Sequence, residues 1–286
     1  MKSPRITKIF THHLSFYLLR FTLLPLSHST DLFCNDDDKA VLLQIKSHFA
    51  GVGMLSDWDP TIDCCDWSFI GCTGEYDAHP GRVNAVTVSG GSGLSGEIPA
   101  VIGKLPYLEE IMFFDERKLT GPIPQSFSKL KYLQIIYLNS NSLTGRIPDF
   151  LGGLKNLQQI DISDNRFKGS IPPSLSLLPQ LAQFNVSRNS LTGSVPDPPP
   201  KLKSFDISHN MMTGTLPSKL GKLKMDFVDV SYNQLCGPIP AGLNRFSPSR
   251  FGHNKCLCGP PLPACKATSC RVFHIVFISL SITVVF

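Results

Sequence analysis

The chain has 286 residues, a formal net charge of +5, 42% hydrophobic residues and 17% charged residues. That is room for one large domain or two small ones. The charge is spread along the chain without the basic runs and interleaved aromatics of a nucleic-acid-binding protein, so no nucleic-acid partner is expected.

In chain order, Lys2, Arg5 and Lys8 precede an apolar segment from Leu14 to Leu26 and a small-polar run, SHST. This is the layout of a secretory signal peptide, taken as residues 1–30 with cleavage between Ser29 and Asp31. Residues 31–81 follow as an N-terminal cap. There Asp36 to Asp38 are placed to cap a helix whose apolar side is Val41, Leu42, Ile45 and Phe49. Trp58 and Trp67 supply bulk behind it.

The nine cysteines cluster at the two ends. Cys34, Cys64, Cys65 and Cys72 lie early, Cys236, Cys256, Cys258 and Cys265 lie late, Cys270 is left over, and the long stretch between the clusters holds none. No pair has C-x-x-C spacing and no histidine couple completes a zinc site, so disulfides in an oxidising compartment are the preferred reading over metal. Adjacent Cys64 and Cys65 would bond each other only with strain, which leaves two arrangements of the first cluster. The favoured one pairs Cys34 with Cys64 and Cys65 with Cys72. By analogy, Cys236 is paired with Cys256 and Cys258 with Cys265.

Between the clusters, residues 82–240 repeat. The motif G-x-[IVL]-P begins at Gly96, Gly121, Gly145, Gly169, Gly193, Gly214 and Gly237, seven times at a period of 21–25 residues. A fixed period of this length marks a solenoid, because one unit cannot bury its own apolar face and stacked units bury a shared core. Within a unit such as Leu157, Ile160, Ile162, Asn165, Phe167 and Gly169, the Ile160-Asp161-Ile162 alternation predicts a strand with apolar residues inward. Asn141, Asn165, Asn189, Asn210 and Asn233 are expected to form an internal ladder that satisfies backbone groups at the turn. Proline then starts the return leg. The first two units lack the asparagine and carry one extra residue each, and DPPPKLKSF shortens the junction between the fifth and sixth units. A C-terminal cysteine cap spans 241–266. The tail, 267–286, is apolar but short for a membrane span, which needs about 20 residues. Ala267 to Ser269 could mark a lipid-anchor signal, though the polar spacer such a signal needs is almost absent. A membrane partner is expected only if this tail anchors.

The L-x-G-x-I-P signature resembles the plant-specific class of leucine-rich repeats. The stretches NDDDKAVLLQIKSHF…LSDWDPTIDCCDWSFIGC and NKCLCGPPLPAC closely resemble the end caps of polygalacturonase-inhibiting proteins, including the paired cysteines on each side of the repeats. The resemblance runs from Cys34 to Cys265 and implies an α/β leucine-rich repeat solenoid. That fold is a curved right-handed superhelix with a parallel β-sheet on its concave face and disulfide-capped ends. The array is shorter than the family's usual one, and a shorter array means a shorter binding arc.

The sequence holds no G-x-S-x-G, no Walker A loop and no H-E-x-x-H motif, and disulfide pairing accounts for Cys65 better than a nucleophile with His253 as base. No enzyme activity and no cofactor are expected. Recognition is assigned to the concave face, whose central column reads Thr87, Met112, Tyr137, Asp161, Asn185, Asp206 and Asp229. The binding residues selected from this column and its flanks are Met112, Phe114, Tyr137, Asp161, Asp164, Gln183, Asn185, Arg188, Asp206, His209, Asp229 and Tyr232. Their mixture of acids and aromatics suits a protein with a basic cleft. The resemblance implies a secreted, wall-associated inhibitor of fungal endopolygalacturonase acting in plant defence, with cell-wall pectin as a further partner. The alternative is a receptor-like module that binds a peptide or a receptor kinase. Asn185-Val186-Ser187 is one N-glycosylation acceptor, set in the middle of that face.

Overall fold

The computed structural model describes residues 33–49, 53–89 and 93–266. The expected signal peptide, the apolar tail and Cys270 lie outside the described residues.

Eight strands form one sheet. Ile70–Cys72 pairs antiparallel with Val83–Ser89, and from there every step is parallel: Glu110–Phe114, Ile135–Tyr137, Gln159–Asp161, Gln183–Asn185, Ser204–Asp206 and Phe227–Asp229. Sequence neighbours are spatial neighbours throughout, as a solenoid requires. Each three-residue strand of the parallel run buries its middle residue and shows its flanks, and the next inward residue follows at i+2, as at Ile160 and Ile162. On the return legs, short 3₁₀ helices begin directly after the repeat proline, as at Gln125–Lys129 and Asp149–Gly153. Their buried residues, Phe127 and Leu151, close the core from the far side. The expected shortening at DPPPKLKSF has a definite form: the 3₁₀ helix is missing there. A bare turn, Leu202 N–H to Pro199 C=O at 3.3 Å, replaces it. Phe184 and Phe205 stack at 6.2 Å beside this junction and supply the bulk that the lost helix does not.

The asparagine ladder forms. Asn165 Nδ2 donates to the carbonyls of Leu138, Ile162 and Ser163, while its Oδ1 accepts from Leu143 N. Asn189, Asn210 and Asn233 repeat the same set of bonds one coil further on each time. The ladder is longer than the repeat motif suggests. Asn254, inside the stretch read as cap, accepts from Leu235 N and donates to Val230 O, so a further coil precedes the lid. In the second unit, buried Glu116 fills the vacant asparagine position, its Oε2 accepting from Gly93 N and Leu94 N at 3.2 Å. Glu116→Ala is therefore expected to destabilise the chain by about 1–3 kcal/mol in urea unfolding, since it removes the acceptor that Gly93 N and Leu94 N share.

The N-terminal lid differs from expectation in one detail. The helix is Asp36–His48, but its N-cap is Asn35, whose Oδ1 accepts from Asp37 N and Asp38 N. Asn35 holds the extended backbone a cap needs, whereas the three aspartates already have helical geometry and sit in the first turn. Asp38 instead turns inward. It is 1% exposed and forms two bonds to Arg82, Oδ2 to Nε at 2.8 Å and Oδ1 to Nη2 at 2.7 Å, with Val83 N on Oδ2 at 3.0 Å. Trp58 and Trp67 stack at 5.6 Å behind the helix, both buried. Disulfides join Cys34 to Cys64, Cys65 to Cys72, Cys236 to Cys256 and Cys258 to Cys265. They tie down the two lids, which are small for the core they cover.

Candidate functional site

The parallel register puts the outward residues of successive strands in columns. Thr87, Met112, Tyr137, Asp161, Asn185, Asp206 and Asp229 are direct partners, one coil to the next. At the rung spacing of a sheet, about 4.8 Å, they make one continuous polar stripe. A second column holds Glu110, Ile135, Gln159, Gln183, Ser204 and Phe227. Phe114 closes the strand Glu110–Phe114 opposite Ser89.

The other selected residues stand at the rim of the sheet. Asp164, Arg188, His209 and Tyr232 each occupy a left-handed turn, with φ between 51° and 55°. Asp115, Ser140 and His253 do the same in their coils. This backbone region costs a non-glycine residue about 1–2 kcal/mol. Each turn is held by the next coil: Asp164 N–H donates to Ser187 C=O, Arg188 to Ser208, His209 to Ser231 and Tyr232 to Gly252. The rim side chains therefore project from a fixed frame. His209, Tyr232 and His253 stack face to face, at 4.2 and 4.1 Å. The sequence reading missed His253, although its place directly before Asn254 matches that of His209 before Asn210.

Each strand aspartate divides its two oxygens between frame and face. Oδ1 of Asp161, Asp206 and Asp229 accepts from the backbone N–H two residues on, at 3.0, 2.9 and 3.0 Å. Oδ2 faces the stripe. Asn185 Nδ2 donates to that of Asp161 at 3.0 Å, and Arg250 Nη1 to that of Asp229 at 2.8 Å. Arg250 also lies 4.5 Å over the Phe227 ring, and Arg117 pairs with Asp164 at 2.8 Å. These arginines partly neutralise the expected acidity at the two flanks, and no motif in the sequence marked them. Asn185 uses for Asp161 the same nitrogen that would carry a glycan, and the hydroxyl of its acceptor Ser187 is bonded back to Asn185 Oδ1. Tyr137 donates its hydroxyl to Gln159 Oε1. Burial, with Asp161 and Glu110 nearby, raises its pKa and keeps the phenol protonated.

Asp206 lies between Asn185 and Asp229. Burial is the main cause of its raised carboxyl pKa, and the negative charge of Asp229 adds to it, against the opposing hydrogen bonds from Ser208. A raised folded-state pKa means that the ionised side chain costs stability once pH exceeds the ordinary carboxylate range, and that the cost is relieved on acidification. Asp206→Asn is thus expected to melt higher than the parent at neutral pH. It should also gain less stability than the parent as pH falls toward 4, which paired thermal scans would read.

Among the described residues, Cys34, Cys65 and Cys72 are grouped closely enough to hold a metal ion. All three sulfurs are spent in disulfides. No helix of the described residues is long and apolar enough to cross a membrane.

Comparison with known proteins follows the same outline. A family model described as leucine rich repeat N-terminal domain matches residues 35–73, and leucine rich repeat models match 115–167, 131–191 and 201–223. A polygalacturonase inhibitor of Pyrus communis is 44% identical over 106 residues, 37% of this chain and 31% of its own length. Polygalacturonase inhibitor 1 of Arabidopsis thaliana is 42% identical over 122 residues, 43% and 36% of the two chains. The chain spans about a third of the length of the curated relatives it matches. Among solved structures, the ectodomain of the Arabidopsis receptor kinase HAESA, in complex with a peptide hormone, superposes with a TM-score of 0.66 at 27% identity, covering 73% of this chain and 35% of that one. Pollen Receptor Kinase 3 gives 0.61 at 28%, covering 78% and 97%. A plant ice-binding protein gives 0.52 at 32%, covering 82% and 99%.

Proposed function

Because the chain belongs to the leucine-rich repeat proteins of the polygalacturonase-inhibitor-like family, and is a binding protein rather than an enzyme, we propose that it is an extracellular plant protein whose concave stripe docks on a fungal endopolygalacturonase and obstructs its cleft. The observation that carries this reading is the register-aligned stripe itself. Tyr137, Asp161, Asn185, Asp206 and Asp229 stand on five successive coils, held by the ladder and the next strand. Such a rigid, acidic and partly aromatic surface complements a cationic protein cleft and loses little conformational entropy on binding.

The direct test is reducing-end release by a panel of fungal endopolygalacturonases, with and without the purified chain. Dose-dependent loss of activity against at least one enzyme is expected. Tyr137→Ala should weaken that inhibition by about 10- to 100-fold, the usual cost of a truncated aromatic anchor. Folded protein that neither binds nor inhibits any enzyme of the panel would overturn the reading.

Around the corner from the stripe, Lys118, Arg146, Arg166 and Lys168 stand exposed on neighbouring coils. We assign this basic side to anionic cell-wall pectin. Retention on pectate should fall steeply between low and high salt, because exposed charges are screened. The likeness to the plant ice-binding protein, at a TM-score of 0.52, is read as likeness of coil only. A second reading, a receptor-like module binding a peptide or receptor kinase, is favoured by the match to nearly the full length of the Pollen Receptor Kinase 3 chain. Capture of a receptor ectodomain in a binding screen, with no enzyme inhibited, would select it.

A further inference from the structure

The loop between Cys72 and Val83 lines an open pocket of about 340 Å³ together with Asn84, Tyr107, Glu109 and Tyr132. Its walls are the rings of His79, Tyr107 and Tyr132, with centroids 4.0 Å apart for the first pair and 5.4 Å for the second. Asp77 from the loop and Glu109 from the start of the next strand line it as well. We propose that this pocket receives a single basic side chain, an arginine or lysine protruding from a protein partner, with its charge between Asp77 and Glu109 and its stem against Tyr107 and Tyr132.

Four observations converge on a cation. The walls are aromatic, and a guanidinium or ammonium group is attracted to a ring face. The pocket lining contains two carboxylates and no lysine or arginine. The nearest arginine, Arg82, lies 4.5 Å from the Tyr107 ring but is bound by both oxygens of Asp38, so its charge is already matched. Finally, the Glu109 carboxyl is raised in pKa by burial first and by the charge of Asp77 second, and a cation seated beside it would favour the ionised carboxylate against both. Gln134 Nε2 donates to Glu109 Oε2 at 2.8 Å and Gly74 N to Asp77 Oδ2 at 2.5 Å, so both carboxylates are already oriented. Tyr132 is 45% exposed and so offers a partner further ring surface. A neutral sugar stacked on Tyr132 would hydrogen-bond the two acids but bring no positive charge to match theirs.

This inference deepens the protein-binding reading of the concave face, and its test does not require a polygalacturonase. The full chain is titrated at neutral pH with N-acetyl-arginine methylamide, its lysine counterpart and the uncharged norleucine counterpart, while the tyrosine ring signals are followed by NMR. Saturable binding of the two cationic probes, with shifts at Tyr107 and Tyr132, is expected. Glu109→Gln and Asp77→Asn should each weaken it at least tenfold, and Asp149→Asn, an exposed acid on a return leg outside the stripe and the pocket, should leave it unchanged. Asp77 is exposed, so its variant keeps the test valid if the Glu109 variant misfolds. Equal binding of the norleucine probe, or unchanged arginine binding in both acid variants, would overturn the proposal. Probe binding without inhibition of any enzyme would sink the inhibitor reading and leave the pocket standing.

Discussion

Asp38→Ala is expected to lower the unfolding free energy by about 3–5 kcal/mol, the cost of breaking a buried ion pair by removing one partner. The size follows from what remains. Arg82 would stay largely enclosed without a counter-charge, and Val83 N would lose its acceptor at the first strand of the parallel array. The loss should concentrate at the N-terminal lid. Asn35 N donates to Gly81 O, so the helix, the loop and the strand are joined through the residues flanking this pair. Chemical denaturation of the parent, Asp38→Ala, Arg82→Met and the double Asp38→Leu/Arg82→Met chain would check the argument. The single variants should be strongly destabilised and the double variant much less so, because an apolar pair leaves no charge buried alone. Additive losses in the double variant would mean that the ion pair does not hold the lid.

The repeats were legible because a period imposes itself on every level at once. Ile160 and Ile162 point inward in sequence and in structure, and the central column could be aligned by counting 24 or so residues. Asp164, Arg188, His209 and Tyr232 read as flanks of the concave face and stand at its rim, in a left-handed backbone that the sequence does not announce. Nothing in their side chains requires it: the next coil's carbonyls impose the turn on whatever residue stands there. Glu116 was invisible as a ladder member because its longer side chain reaches the same donors from a different start. Arg250 and Arg117 act across gaps of 21 and 47 residues, and such pairings follow from curvature and packing rather than from the motif. The pocket joins Asp77 and His79, from a loop ahead of the repeats, to Tyr107 and Tyr132 at equivalent positions of two coils, and the period accounts for only the second half.

Asn210→Ala should cost about 2–4 kcal/mol, more than the loss of any one of its bonds, because it orphans a buried donor and several acceptors together. Leu191 N would lose its only acceptor in the described set, and the carbonyls of Val186, Ile207 and Ser208 would lose a donor. The position matters as much as the count. Asn210 stitches its own coil to the coil before it, the one that lacks a 3₁₀ helix, so the far side of the solenoid offers little to compensate there. Stability in a solenoid is nearly a sum of coil and interface terms, and weakening one interface divides the array. Hydrogen exchange should then show amides beyond Ser204 opening before those of the earlier coils, where the parent opens them together. Asn210→Asp separates the contributions. It keeps an acceptor for Leu191 N and loses the donated bonds, so it should fall between the parent and Asn210→Ala. Because His209 precedes Asn210 in the same turn, both variants should also loosen the His209–Tyr232 stack. A loss confined to stability, with uniform exchange along the chain and an intact ring stack, would show that the ladder supports each coil separately and does not hold the binding face in register.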